Sequence, residues 1–177
     1  MKIQQGLALL LLLGFVFPSL AQQYQKLPSQ VNLASARQSN PAVSPDGRWL
    51  VFTSDRSGME KLYISGRQNG KWQDPRAVDA VNAMFGKTLE IDGTCFNYNS
   101  SRIYFAAYPK GMPEQSDIFY TQKKDGRWQE PQKLPEAINS AAYEGMPSIT
   151  IDNNKLFFTR NEATIEERDW KDKRCAM

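Results

Sequence analysis

Histidine is missing from the whole chain of 177 residues. These residues by themselves therefore cannot form a Ser-His-Asp or Cys-His catalytic device, an imidazole base or a zinc site with histidine ligands. Excess charge is also lacking, because 22 Lys and Arg residues oppose 19 Asp and Glu residues and leave a net charge of +3. So small an excess does not predict a nucleic-acid-binding surface. The length predicts one domain or part of one.

Long hydrophobic runs are equally scarce, and the one clear run lies near the start of the chain. Residues 6–17 are apolar, about twelve residues where a membrane-spanning helix needs roughly twenty. A lysine precedes this run, and the small residues Ser19 and Ala21 follow it in the pattern that signal peptidase reads. Residues 1–21 are therefore predicted to be a signal peptide that directs export to the periplasm or cell surface. A buried N-terminal helix is the alternative.

Cysteine occurs only twice, as Cys95 and Cys175, and the sequence has no Cys-x-x-Cys motif. Neither a redox motif nor a thiolate metal site is therefore predicted. Export would place both thiols in an oxidising compartment, where a disulfide between them can persist. The alternative is that Cys95 is a small apolar side chain within a strand.

A short apolar core recurs three times and is the most informative feature of the sequence. Residues 50–53, 103–106 and 156–159 read Leu-Val-Phe-Thr, Ile-Tyr-Phe-Ala and Leu-Phe-Phe-Thr, and their starts are 53 residues apart (103 − 50 and 156 − 103). Four residues before each core stands a turn former, namely Asp46, Asn99 and Asp152. Because Asp and Asn side chains bond to their own downstream backbone, each segment predicts a tight hairpin between two strands.

A second set of matching segments follows at an offset of 56 residues (117 − 61). Residues 61–64 match 117–120, and Gly-Lys-Trp-Gln-Asp-Pro at 70–75 matches Gly-Arg-Trp-Gln-Glu-Pro at 126–131. Asn-Gly and Asp-Gly dipeptides before the tryptophans are hairpin signals, so each full copy is predicted to have four strands. Since proline cannot donate to a ladder, the tryptophan-bearing fourth strand is expected at the outer edge.

A third recurring segment connects the copies. Residues 26–32 (Lys-Leu-Pro-Ser-Gln-Val-Asn) recur as residues 133–139 (Lys-Leu-Pro-Glu-Ala-Ile-Asn), and a weaker version covers 77–82. Four-stranded antiparallel sheets that repeat at roughly forty to fifty residues are typical of β-propellers, whose sheets, or blades, pack face to face. The predicted fold is therefore an all-β partial β-propeller in residues 22–160, with two full four-stranded blades and an incomplete third.

The segment Pro-Ala-Val-Ser-Pro-Asp-Gly-Arg-Trp-Leu-Val-Phe-Thr-Ser at residues 41–54 resembles the WD40-like repeat of exported bacterial propellers. This is the repeat type of the periplasmic Tol translocation propeller. Residues 144–158 are similar, whereas the middle copy departs with Thr94 in place of proline. With the Gly-Arg-Trp-Gln-Glu-Pro and Leu-Pro-x-x-Ile-Asn segments, the chain looks most like propellers of Bacteroidetes-type envelope proteins. Some of those carry a peptidoglycan-binding domain like that of outer membrane protein A.

The number of blades is too small for a closed ring, since propellers have about four to eight. Residues 161–177 are charged and nearly without apolar alternation, which predicts an irregular tail. We therefore expect the chain to be a truncated product or fragment of a longer propeller protein. The alternative is that two chains complete each other's ring through their exposed blade faces.

No residue is predicted to be catalytic, cofactor-binding or metal-binding, and no cofactor is expected. Turn formation explains the repeated Asp46, Asn99 and Asp152. A glycosidase needs two suitably placed carboxylates, and spacing selects no pair among Glu90, Asp92, Glu114, Asp117 and Glu144.

Two further groups of side chains have a structural and a functional interpretation. Trp72 and Trp128 occupy equivalent repeat positions, which predicts packing between blades, with sugar stacking as the alternative. A mildly basic stretch is interleaved with acidic residues and is expected to be a solvated outer face; it consists of Lys123, Lys124, Arg127 and Lys133.

The resemblance implies a non-catalytic, exported propeller that binds another envelope protein or a peptidoglycan component through its loops and channel mouth. The alternative is the propeller part of a secreted hydrolase, such as a prolyl-oligopeptidase-like peptidase, whose catalytic domain lies beyond Met177. The sequence has no Gly-x-Ser-x-Gly nucleophile elbow, which favours the first interpretation. Neither nucleic-acid binding nor a membrane-spanning segment is expected in the mature protein, and self-association through exposed blade faces is an alternative.

Overall fold

The computed structural model describes residues 26–84 and 88–161. The predicted signal peptide, Cys175 and nearly all of the predicted tail lie outside the described residues. Within the described ranges, no helix is long and apolar enough to cross a membrane. The α-helix Asp79–Asn82 (α1) and a 3₁₀ turn at Pro113–Gln115 are short interruptions of an otherwise β-rich structure.

The strands form three antiparallel sheets that follow one another along the chain. The first contains β1 (Gln38–Val43), β2 (Trp49–Ser54), β3 (Lys61–Gln68), β4 (Lys71–Trp72) and β5 (Arg76–Ala77). The second contains β6 (Leu89–Phe96), β7 (Arg102–Pro109), β8 (Asp117–Lys124), β9 (Arg127–Trp128) and β10 (Gln132–Lys133). The third pairs β11 (Tyr143–Ile149) with β12 (Leu156–Asn161). The all-β partial propeller predicted from the repeats is confirmed.

The outer strand differs from the prediction, because it is broken into two short pieces in both full sheets. In the first sheet, β4 and β5 both pair with β3, on either side of the segment that contains Pro75. The amide of Gln73 still donates to the carbonyl of Gly66 (2.8 Å), and the hydroxyl of Ser65 donates to the carbonyl of Gln73 (2.5 Å). Proline has no N–H with which to continue the ladder, so the edge opens there and closes again at β5.

The sheets pack face to face through alternating side chains of their central strands. We call the face of a sheet that looks toward the preceding sheet its upstream face, and the opposite one its downstream face. Val51, Leu62 and Ile64 on the downstream face of the first sheet join one buried cluster with residues on the upstream face of the second, namely Ile103, Phe105 and Phe119. A smaller cluster of Val31, Leu50, Phe52 and Tyr63 covers the upstream face of the first sheet.

A bulge interrupts the first strand of every sheet at the same repeat position. The residues in the bulges have positive φ, at 51° for Asn40, 85° for Gly93 and 50° for Met146. These three strands lie side by side along the inside of the array. A Cβ on Gly93 would stand 2.7 Å from the Cα of Met146, so this close approach of β6 and β11 requires glycine.

The recurring asparagine attaches the second and third connectors to the third strand of the sheet before each of them. Asn82 accepts from the amide of Leu62 (2.7 Å) and donates to its carbonyl (3.0 Å). Asn139 does the same to Ile118, at 2.7 and 2.9 Å. Each asparagine side chain thus makes the two hydrogen bonds that a residue of a neighbouring strand would make. We call this arrangement the asparagine latch.

Replacing Asn139 by alanine tests the latch. Asn139 is buried and also donates to the carbonyl of Leu134 (2.9 Å), so its loss leaves the amide of Ile118 unpaired inside the protein, whereas the carbonyl of Ile118 keeps the amide of Leu134 (3.0 Å). We expect Asn139→Ala to lower the free energy of unfolding by about 2 kcal/mol. Urea unfolding followed by circular dichroism measures it. Gln122→Ala, at an exposed position of the same strand, should change stability by less than about 0.5 kcal/mol; equal effects would contradict the role of the latch.

Candidate binding site

Carboxylates and tyrosines from all three sheets meet at the end of the array where the connectors enter the inner strands. We call this group the mouth cluster; its members are Arg37, Glu60, Glu90, Asp92, Tyr108 and Tyr143. Glu90 and Asp92 lie two residues apart on β6, which places both side chains on the same face of the sheet. That face looks toward the third sheet.

Hydrogen bonds tie the members of the mouth cluster together across sheet boundaries. The hydroxyl of Tyr143, on β11, donates to the carboxylate of Asp92. Glu60, in the loop before β3, accepts from the amide of Ile91 (3.4 Å) and forms an ion pair with Arg37 (3.2 Å). The cluster therefore joins the first, second and third sheets at one place.

The electrostatic field of the mouth cluster is negative. Tyr108 lies opposite Glu90 in the β6–β7 register. Burial, together with the nearby charges of Glu90, Asp92 and Glu60, raises the pKa of Tyr108 to about 12. Tyr108 therefore stays protonated at neutral pH, and its hydroxyl is hydrogen-bonded to Glu90. Three carboxylates against one guanidinium favour a cationic group as a ligand.

An open cleft of about 360 Å³ adjoins the mouth cluster between the first and second sheets. Its lining combines both signs of charge and includes Arg37, Asp55, Glu60, Glu90 and Lys110. Such a lining can bind a partner that carries amino and carboxylate groups together. Within residues 26–84 and 88–161, no group of three or more acidic or cysteine side chains is arranged to hold a metal ion.

The remaining candidate carboxylates are separated from the mouth cluster. Asp117 forms an ion pair with Lys133 (2.7 Å), and Glu114 lies in the 3₁₀ turn before β8. Glu144 is fully buried; it accepts from the hydroxyl of Ser140 (2.5 Å) and from the guanidinium of Arg160 (2.9 Å). Of the five carboxylates considered from the sequence, the fold thus brings Glu90 and Asp92 together.

The repeated turn residues have the geometry that the sequence predicts. Asp46 accepts from the amide of Arg48 (3.0 Å) and the hydroxyl of Ser44 (2.6 Å). These bonds lower its pKa to about 2. Asn99 accepts in the same way from Ser101, at 3.2 Å for the amide and 2.6 Å for the hydroxyl. Asp152 accepts from the amide of Asn154 (3.1 Å) and the hydroxyl of Thr150.

The tryptophans of the outer strands pack against the sheets. Trp128 borders the core between the first and second sheets, and the ammonium of Lys123 lies 5.8 Å from its ring and 4.4 Å from that of Trp49. Lys123 is thus held between two sheets, while Lys124 and Arg127 are exposed. Trp72 borders the cluster on the upstream face of the first sheet, with Arg67 5.6 Å from its ring.

Cys95 has a half-buried thiol on the face of β6 that looks toward the third sheet. Burial raises its pKa to about 11, although a backbone hydrogen bond with Ile149 acts in the opposite direction. The thiol is therefore protonated at neutral pH and a poor nucleophile. Its predicted alternative, a disulfide to Cys175, involves a residue outside the described ranges and stays a prediction.

The repeat pattern did not reveal Glu60, Tyr108 or Tyr143 as part of a site. None of them belongs to a recurring motif, and the three residues lie in separate parts of the sequence. A weak signal was present, since Glu90 and Asp92 are charged residues within an otherwise apolar strand. No family model matches the chain, and no curated protein matches it either.

Glu144 and Arg160 provide a test of the buried ion pair. Glu144→Gln keeps the shape of the side chain but leaves the guanidinium of Arg160 without its counter-charge. We expect a loss of about 1–3 kcal/mol in the free energy of unfolding, less than for a fully buried pair because Arg160 is partly exposed. Glu136→Gln, at an exposed connector position, is the control in the same urea titration. If Glu144→Gln left the free energy of unfolding unchanged, the assignment of a stabilising ion pair would be contradicted.

The raised pKa of Tyr108 predicts a loss of stability at alkaline pH. An unfolded tyrosine titrates near pH 10, so protonated Tyr108 stabilises the fold below that pH. This stabilisation is lost as the pH rises toward 12. Urea unfolding at about pH 9 and about pH 11 should show a smaller alkaline loss for Tyr108→Phe than for the wild type. Tyr98→Phe, at an exposed position, should behave as the wild type; identical pH dependence of all three proteins would contradict the prediction.

Proposed function

We propose that the chain is a non-catalytic, exported β-propeller module of the cell envelope that binds a peptidoglycan component or another envelope protein through its mouth cluster. Export is supported by the order of lysine, apolar run and small residues in the first 21 positions. An envelope role is supported by the resemblance of the repeats to periplasmic propellers. Fold alone does not assign a function, so the proposal depends on the site.

One observation carries the binding part of the proposal. Glu60 and Glu90 come from two sheets and line an open cleft that also presents Arg37 and Lys110. The charge of Asp92 acts on Tyr108 together with those of Glu60 and Glu90. Elsewhere the buried carboxylate of Glu144 is engaged by internal partners. The mouth cluster therefore offers both signs of charge to a ligand at the surface.

Peptidoglycan stem peptides fit this chemistry because they carry amino and carboxylate groups on one flexible segment. An amino group can bind between Glu90 and Asp92, whose partners within the protein are the hydroxyls of Tyr108 and Tyr143. Arg37 is largely exposed and can pair with a second carboxylate. The binding would be electrostatic to a large extent and would weaken with salt.

Co-sedimentation with purified peptidoglycan sacculi tests the proposal. The exported protein should be retained at low ionic strength, and the double substitution Glu90→Gln with Asp92→Asn should reduce retention by at least about tenfold. Raising the salt concentration to roughly 0.5 M should reduce the retention of the wild type as well.

The matched control changes the same number of carboxylates away from the cluster. Glu130→Gln with Glu136→Gln, both at exposed positions, should be retained as strongly as the wild type. Absence of retention would count against peptidoglycan as the partner. Equal loss in both double variants would show net charge, and not the mouth cluster, to be responsible.

A further inference from the structure

The third sheet exposes an apolar side chain at a position that the other two sheets bury. Phe157 on β12 is 61% exposed, whereas the same repeat position is 8% exposed in the second sheet (Tyr104) and 0% in the first (Val51). The difference arises because Val51 and Tyr104 lie on downstream faces that the next sheet covers. Nothing among the described residues covers the downstream face of the third sheet.

The upstream face of the first sheet is open in the complementary way. Val43 is 56% exposed, whereas its counterpart in the second sheet, Phe96, is 6% exposed because the first sheet covers it. Leu50, the cross-strand partner of Val43, lines an open depression of about 120 Å³ whose lining is mostly apolar and also includes Leu27 and Phe52. A contiguous apolar surface of this kind marks an interaction site in a soluble protein.

The connector on this face is arranged as it is inside the array. Val31 packs on the upstream face of the first sheet, as Val81 packs into the core between the first and second sheets. Arg56 completes the cover; it lies 5.0 Å from the rings of Phe52 and Tyr63. The part of this face that stays open is therefore the strip around Val43, because Val31 and Arg56 cover the rest of it.

The first asparagine of the latch series also lies at this end. Asn82 and Asn139 each bind the backbone of a preceding sheet. Asn32 occupies the same position in the first connector, is exposed, and makes no side-chain hydrogen bond within the described part of the chain. Asn82 and Asn139 bind third strands, whereas the third sheet consists of β11 and β12 within the described residues, so the contact proposed below does not depend on Asn32.

We propose that the two open faces bind each other between two copies of this chain, with the downstream face of one third sheet on the upstream face of the partner's first sheet. The contact repeats the one made twice within the chain, where a downstream face meets the next upstream face. Two copies of three sheets give about six blades, within the range of closed propellers. Such a head-to-tail contact can close with two-fold symmetry. This proposal depends on the fold and not on envelope binding.

Sedimentation velocity of the reduced, exported protein tests the proposal. A dimer should form at concentrations up to roughly 100 µM, where even weak specific interfaces are populated. Phe157→Asp and Val43→Asp should each weaken dimerisation at least about tenfold, because each places a charge in the contact. Ile151→Asp, which changes an exposed apolar residue in the turn of the third hairpin, should leave the dimer unchanged.

Mixing the two contact variants gives the sharpest outcome. A dimer of one Phe157→Asp chain and one Val43→Asp chain retains one unaltered contact, so the mixture should dimerise more strongly than either variant alone. A wild-type protein that remains monomeric would overturn the proposal, as would dimerisation insensitive to both variants. Retention on sacculi is measured separately, so failure of the dimer leaves the proposed function to its own test.

Discussion

The structure depends on the burial of one sheet face against the next. Each central strand alternates its side chains so that Val51 faces downstream while Leu50 and Phe52 face upstream, and both sets are buried. Neither full sheet buries both of its faces by itself. The connectors help, since Val31 and Val81 enter the same clusters as the strands. Stability in such an array is the sum of sheet units and contacts between neighbours, and a terminal face has no neighbour within the described chain.

Backbone devices set the distance and angle between neighbouring sheets. The bulges at Asn40, Gly93 and Met146 bend each inner strand at the same height, and bulges increase local twist. Asn40 donates to the carbonyl of Ile91 (2.7 Å), and Thr94 donates to the carbonyl of Asn40 (2.7 Å). The hydroxyl at position 94 is thus a contact between sheets, which accounts for the departure from the proline of the other copies.

The candidate site follows from this arrangement. Because the inner strands lie side by side, charged residues at their connector ends approach one another although they are distant in sequence. Tyr143 reaches Asp92, and Glu60 reaches the backbone of Ile91. Glu144, in contrast, has a structural role, because its carboxylate accepts hydrogen bonds from Ser140 and Arg160 inside the protein. Carboxylates with similar sequence surroundings therefore have different roles, and burial with internal partners distinguishes them.

The sequence by itself determined the hairpins, the four-strand repeat and the edge position of the tryptophan strands, since local turn chemistry and two-residue alternation encode them. It also marked Asp46, Asn99 and Asp152 as turn residues. Only the tertiary structure decided that Glu60, Glu90, Asp92, Tyr108 and Tyr143 share one place, and that Asn82 and Asn139 are latches. These are contacts between sheets, and their positions depend on how far each sheet is rotated against its neighbour. No short sequence pattern contains that rotation, because packing of whole faces sets it.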